Sequence, residues 1–363
     1  MKVIFVVPSY PSAHCGVSTY SGYLVNELEK LIDVEILGTA SPRSPLGLLK
    51  KGAIAVKHAD IVHIQHSFDL YGYMGYLTFP LYRILHHAGK PIVTTIHELP
   101  DVRSKALKMR IAFPYLQRCI TEIVQNSDAV IVHTRASLDL LAQWRLLKGV
   151  HLIPHGTLQP KTTACFDSPS RNGSTIGFFG FINEKKGLHR LLDALVCLPK
   201  TRLVIAGEPK TDSDKKYYMD LRSQATNLSI ADRVEFMGYL PDSAMADFFR
   251  SADVIAFPYS ICTASGALHL ALAHGSVVLT SNLPVFHELK VRYDCLEEFD
   301  LEEPETLVAQ LIKLLHNTTR RSELIVGCER MVQDTSWSQI ARKTYAVYKS
   351  CFAQSIQQSD EPF

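Results

Sequence analysis

The chain reads as an α/β protein with two Rossmann-like domains, each built on a doubly wound parallel sheet. Three observations predict this. Short continuous apolar runs recur along the chain, as expected of strands buried on both faces. Helical or loop sequence separates each run from the next, the pattern of parallel strands joined by crossover helices. A stretch rich in Pro, Thr, Ser, Gly and Asn, from 154 to 174, interrupts the series and divides it in two. At 363 residues the chain is also too long for one ordinary core.

The first domain is expected over residues 1–160, with strands at 3–7, 34–37, 60–65, 92–97, 129–133 and 151–153. Pro8-Ser9-Tyr10-Pro11 stops the first strand. Ser18 is the expected cap of a helix carrying Tyr20, Leu24, Leu28 and Leu31. Residues 161–174 form the expected linker. The second domain, 175–335, takes strands at 176–179, 202–206, 234–237, 254–257 and 277–280, with helices such as 188–197, 244–251 and 303–316. A helix from 337 to 352 and a polar tail make up the remainder, 336–363, which is expected to cross back to the first domain.

Composition narrows the function classes. Hydrophobic residues make up 47% and charged residues 20%, as in a soluble globular protein. A net charge of +2 gives no argument for a nucleic-acid partner. No run of 18 apolar residues is present to span a membrane. The start, MKVIFVVPSY, lacks a small-residue cleavage pattern and reads as a strand rather than a signal peptide. Eight scattered cysteines without a CxxC pair point to reduced thiols in a cytoplasmic protein. The sequons at Asn172, Asn227 and Asn317 carry no consequence without secretion.

The segment 257–280 organises the second domain. A strand runs into Pro258-Tyr259-Ser260, a turn Thr263-Ala264-Ser265-Gly266 follows, and an apolar helix then begins near Ala267. Ser265 suits an N-cap, and Gly266 allows an anion to approach a helix start with free N–H groups. A buried crossover helix with a Ser cap would show the same pattern. Just after the domain's first strand, Gly180-Phe-Ile-Asn-Glu-Lys-Lys186-Gly187 is built to place an ammonium on an anion, though a solvated lysine pair fits the spacing too. It is not a Walker A loop.

In open α/β sheets, ligands bind beyond the C-terminal ends of the strands. The residues at those ends include Gly16, Gln65, His66, His97, Glu98 and Thr134 in the first domain. In the second they are 180–186, Gly207, Glu208, Gly238, Tyr239 and 263–267. Two such sheets are expected to bring them to either side of a cleft. His66 and His97 could equally be structural, hydrogen-bonded histidines. His63 and His66 lie on opposite faces of one strand with no third ligand in view, so no metal site is expected. Segments 45–58 and 103–110 mix aliphatic and basic residues; each reads either as a peripheral membrane contact or as an exposed helix covering the sheet.

Taken in order, these residues resemble family 4 glycosyltransferases, retaining nucleotide-sugar enzymes of the GT-B fold. Cys15-Gly16-Val17 resembles the family's glycine loop. Ile64-Gln65-His66-Ser67-Phe68 and Thr95-Ile96-His97 are similar to the Gln-His-Glu-Phe and Thr-x-His segments of one branch, and Pro154-His155-Gly156 to its interdomain turn. Phe179-Gly180 with Lys186-Gly187 resembles the diphosphate-binding loop. Ser265-Gly266-Ala267-Leu268 and Trp337-x2-Ile340-Ala341 complete the set.

The resemblance implies a donor diphosphate bound by the helix start at Ser265, Gly266 and Ala267, by Lys186 with Lys185 beside it, and by Gly16. Cys262 would face the donor sugar, and Tyr239 and Leu240 would lie near the base. His97 would sit beside the donor sugar and, with Lys186, carry catalysis. His14, Gln65, His66 and Glu98 are assigned to the acceptor side. It implies a UDP-, GDP- or ADP-sugar as donor, a glycan or lipid-linked acceptor, and no cofactor or metal. The sequence departs from the family at four places: Cys262 and Leu270 stand where it has two Glu, Phe181 where it has Arg, and Ser67 where it has an acidic residue, with Asp69 nearby. The alternative is therefore a degenerate homologue acting as partner or regulatory subunit of an active enzyme.

Overall fold

The computed structural model describes residues 1–11, 15–39, 50, 53–54, 57–71, 75–87, 89–100, 107–158 and 173–359. His14, most of the expected linker, and nearly all of segments 45–58 and 103–110 lie outside the described residues. The chain divides into two compact units: Met1–Gly156 together with Thr335–Phe363, and Thr157–Asp334. The first division thus falls after Gly156, ahead of the expected boundary at 160.

The first unit holds six strands: β1 (Lys2–Pro8), β2 (Asp33–Thr39), β3 (Ile61–His66), β4 (Ile92–Ile96), β5 (Ala129–Val132) and β6 (Val150–Leu152). They form one parallel sheet in the order β2-β1-β3-β4-β5-β6. Every residue of β3, β4 and β5 is buried, which is why these segments read as unbroken apolar or Thr/His runs instead of alternating ones. Asp60, just before β3, accepts the Lys2 N–H at 2.7 Å, and Asp128, before β5, accepts the Ile92 N–H at 2.7 Å. These carboxylates satisfy backbone donors at the N-terminal edge of the sheet, leaving the opposite edge for ligands.

The first helix spans Gly16–Leu28 with Cys15 in the N-cap position. The expected cap, Ser18, is instead buried within the first turn, and Leu31 lies beyond the helix end. The helix starts earlier, with Cys15 in extended conformation before it and no side-chain cap hydrogen bond. The C-terminal helix, Trp337–Ser359, belongs to this unit. Its Trp337 ring meets Tyr20 edge-on at 5.0 Å, and its Tyr348 bonds His63.

The second unit holds β7 (Ser174–Phe179), β8 (Thr201–Ala206), β9 (Val234–Gly238), β10 (Val254–Phe257), β11 (Val278–Ser281) and β12 (Glu297–Phe299). Their order is β12-β11-β10-β7-β8-β9, again all parallel. Counted from β9 inward, this is the 3-2-1-4-5-6 order of dinucleotide-binding sheets. The edge strand β12 gives no apolar run because it begins Glu-Glu; Glu297 is buried there with Arg320, Lys290 and Lys313 around its carboxylate at 2.8, 3.1 and 3.8 Å. The strand order reverses between β7 and β10, so the crevice for a ligand lies past Phe179 and Phe257.

Candidate active site

At the β7–β10 crevice the sequence builds a compact group of polar residues. After β7 the chain passes Gly180, makes a single 3-10 turn over Glu184–Lys186, and reverses at Gly187. Gly187 has φ 68°, and a Cβ there would lie 2.0 Å from the Pro258 carbonyl oxygen, so only glycine permits this approach. The Ser260 N–H donates to the Lys185 carbonyl at 2.8 Å, which ties the two loops together. As a result the Lys186 ammonium rests 3.6 Å from the centroid of the Tyr259 ring. Lys185 is exposed.

The helix Gly266–Ala273 begins beside them. Ser265 is its N-cap, and its hydroxyl accepts the Leu268 N–H at 3.2 Å. That leaves the N–H groups of Gly266 and Ala267 at the positive end of the helix dipole. Space around Gly266 is open, with nothing within 4 Å of where a Cβ would sit. Cys262 is half-buried and donates to the Ala264 carbonyl at 3.3 Å; burial pushes its thiol up to about 11, although nearby Lys186 pulls the other way. The position therefore presents a neutral thiol, not a carboxylate.

The loops after β8 and β9 flank this group. The Tyr239 side chain is 55% exposed, and its backbone N–H donates to Glu208 at 3.1 Å. Leu240, expected near a nucleotide base, is a member of the hydrophobic core; the helix Asp242–Ser251 follows it directly and draws its side chain inward. Phe181 carries a cation on its ring: the Lys210 ammonium lies 3.4 Å from its centroid.

In the first unit the candidates form a buried polar chain. His97 Nε2–H donates to the Gln65 side-chain oxygen at 2.8 Å, and the Gln65 amide donates to His63 Nε2 at 3.1 Å. Thr95 also donates to that nitrogen, at 2.8 Å. His63 therefore carries its proton on Nδ1 and donates it to the Tyr348 hydroxyl. Tyr20 packs against His97, His133 and His155 at 4.7, 5.0 and 5.2 Å. Desolvation dominates in this cluster, holding His63, His66 and His133 down at about 3, His155 at about 4, and His97 well below its usual range.

Three of the acceptor-side candidates lie in or beside this cluster. Gln65 and His66 are fully buried, and both Gln65 side-chain polar atoms are engaged, by His97 and His63. His66 stacks on Tyr71 at 5.1 Å and bonds Thr78 at 3.3 Å. The Glu98 carboxylate accepts from Ser67 Oγ and the Phe68 N–H at 2.9 and 2.7 Å, fixing the turn after β3. Among the described residues no group of three His, Cys, Asp or Glu is placed to hold a metal ion, and no helix is long and apolar enough to cross a membrane. Sequence reasoning did not single out Tyr259, Lys210 or Tyr348 as site residues. Tyr259 carried a signal, since it follows Pro258 directly at a strand end.

Two six-stranded parallel sheets of this kind define the GT-B glycosyltransferase architecture, and the comparisons agree. Residues 14–157 match the family model of Glycosyltransferase Family 4, and residues 166–327 match Glycosyl transferases group 1. The chain belongs to this glycosyltransferase family. Among curated relatives it is similar to the phosphatidyl-myo-inositol mannosyltransferase of Mycolicibacterium smegmatis, 27% identical over 73% of this chain and 67% of that one. It also resembles the alpha-maltose-1-phosphate synthase of the same organism, 24% identical over 97% and 100%. Among solved structures, sucrose-phosphate synthase from Thermosynechococcus elongatus superposes with a TM-score of 0.81 at 18% identity, over 97% of this chain and 99% of that one. Anabaena HepE in complex with UDP and glucose does so with a TM-score of 0.75 at 17% identity, over 96% and 100%.

Proposed function

We propose that the chain is a retaining glycosyltransferase that moves a sugar from a nucleoside-diphosphate donor to a glycan or lipid-linked acceptor. Its setting would be polysaccharide or glycoconjugate assembly at the cytoplasmic face of a membrane. The observation that carries this reading is the grouping of Lys186, Tyr259 and the Ser265-capped helix start at the switch point of the second sheet. Positive charge and backbone N–H groups converge there, as a diphosphate requires. The family supports sugar transfer, the UDP and glucose bound by HepE support a nucleotide-sugar donor, and the name of the mannosyltransferase relative supports a lipid-linked acceptor.

In this reading Lys186, aided by Lys185, neutralises the donor phosphates, and the N–H groups of Gly266 and Ala267 hold their oxygens. Lys186 and the helix dipole then stabilise the departing diphosphate without a metal. The acceptor hydroxyl attacks the sugar from the face the diphosphate leaves. A C–O bond to the acceptor forms as the C–O bond to phosphate breaks, and the acceptor's proton passes to the diphosphate. His97, held by Gln65 through Nε2, would lie beside the donor sugar and orient it. Tyr239 would lie against the base.

The neutral thiol of Cys262 favours a second reading, a non-catalytic homologue acting as a protein partner. One assay separates the two. The purified chain is incubated with UDP-, GDP- and ADP-sugars, with and without phosphatidylinositol or sugar phosphates, while nucleoside diphosphate release is followed. Acceptor-stimulated release, with the anomeric configuration of the donor kept in the product by NMR, supports a retaining transferase. Donor binding with no release under any condition supports the partner role.

A further inference from the structure

We infer that Tyr259 is itself a ligand-binding residue, whose hydroxyl donates to an anionic oxygen held at the start of the helix Gly266–Ala273. This rests on the diphosphate reading of that site and adds a residue to it. Tyr259 is fully buried, yet its hydroxyl has no hydrogen-bond partner within the chain. Buried hydroxyls are normally bonded, because leaving one unpaired costs stability, and each exception in a native fold calls for an explanation such as a role at a site or a missing partner.

The ring cannot rotate away to find a partner. Phe257 packs edge-on against it at 5.5 Å, Phe286 at 5.8 Å and Phe178 at 6.5 Å, and the Tyr259 carbonyl accepts from Ser281 at 2.6 Å. The hydroxyl end is therefore fixed, and it faces the site. A Cβ built on Gly180 would lie 3.8 Å from the hydroxyl oxygen and 3.5 Å from the Ala267 Cβ, so the glycine keeps the space before both clear. Lys186 lies over the ring, and Ser265 and Cys262 are the other polar neighbours; Lys186 and Ser265 act on the phenol electrostatically, but neither meets hydrogen-bond geometry with its oxygen. Burial raises the phenol's pKa despite Lys186, so the hydroxyl keeps its proton and is a donor. A fixed donor, an ammonium and a helix start around one opening suit a phosphate oxygen and fit no cationic or apolar group.

The test is Tyr259→Phe, which keeps the ring, its packing and the platform under Lys186 while removing only the hydroxyl. Thermal unfolding without ligand and calorimetric titration with UDP, GDP, ADP and inorganic pyrophosphate are measured on both proteins. The expected result is an unchanged or higher Tm, because an unpaired group is gone, together with about tenfold to hundredfold weaker binding of the probe the native protein binds best. Equal affinity in the two proteins overturns the assignment of Tyr259 and leaves the diphosphate reading standing. A clear drop in Tm also overturns it, since the hydroxyl would then be bonded inside the chain. If the native protein binds none of the four probes, the diphosphate reading falls and this inference falls with it.

Discussion

A Cβ on Gly156 would sit 2.3 Å from Cε3 of Trp337, so the indole ring occupies the space a side chain would need. The last residue before the chain leaves the first unit is thus pressed against the first turn of the helix by which it returns. Gly156→Ala must displace the indole, which also packs on Tyr20, Tyr23 and His155. Overpacking of this kind costs about 1–3 kcal/mol. Chemical denaturation should show that loss with an unchanged m-value, and a neutral substitution would contradict the packing described.

The buried histidines make the first unit sensitive to acid. His63, His66, His133 and His155 are neutral in the fold with values of about 3 to 4, whereas unfolded they titrate near 6.5. Below that point the unfolded chain binds more protons than the native one, so stability falls as pH falls. Each group should remove about 1 kcal/mol between pH 7 and pH 5.5, and the loss continues toward the folded values. Denaturation curves at a series of pH values should show a fall of several kcal/mol over that interval. A flat profile down to pH 5.5 would mean the histidines are charged or exposed in the native state.

The thiols should react in an order set by burial. Cys197 is exposed, while the Cys262 thiol is pushed up to about 11 and Cys295 to about 12. Only the thiolate is nucleophilic. Iodoacetamide at neutral pH should therefore label Cys197 well before Cys262, as read by peptide mass spectrometry. Equal rates would show that a thiolate is populated beside Lys186, and the position could then supply negative charge after all.

Much of the second unit's site is legible in the sequence because its signals are local. Ser265 before an apolar run announces a cap, and the glycines bounding the 180–187 loop announce a backbone approach; both are found. The first unit is harder to read. Strand alternation tells which face His66 and Gln65 occupy but not how deeply the following loops cover them, and both are fully buried. The cation on Phe181 comes from Lys210, and the proton acceptor for His63 from Tyr348 in the C-terminal helix. These pairings depend on tertiary contacts between distant segments, which no local pattern encodes. The core position of Leu240 has the same origin, since packing beneath the helix Asp242–Ser251 decides it.

The most direct test of the proposed donor site is a calorimetric titration of the native protein and Lys186→Ala with UDP, GDP and ADP. The account predicts micromolar binding of one nucleotide to the native protein. It predicts at least about tenfold weaker binding to the variant, the loss expected when a charged hydrogen-bond partner is removed, with an unchanged unfolding transition. Absence of binding to all three by the folded native protein, or equal affinity in the variant, would contradict it.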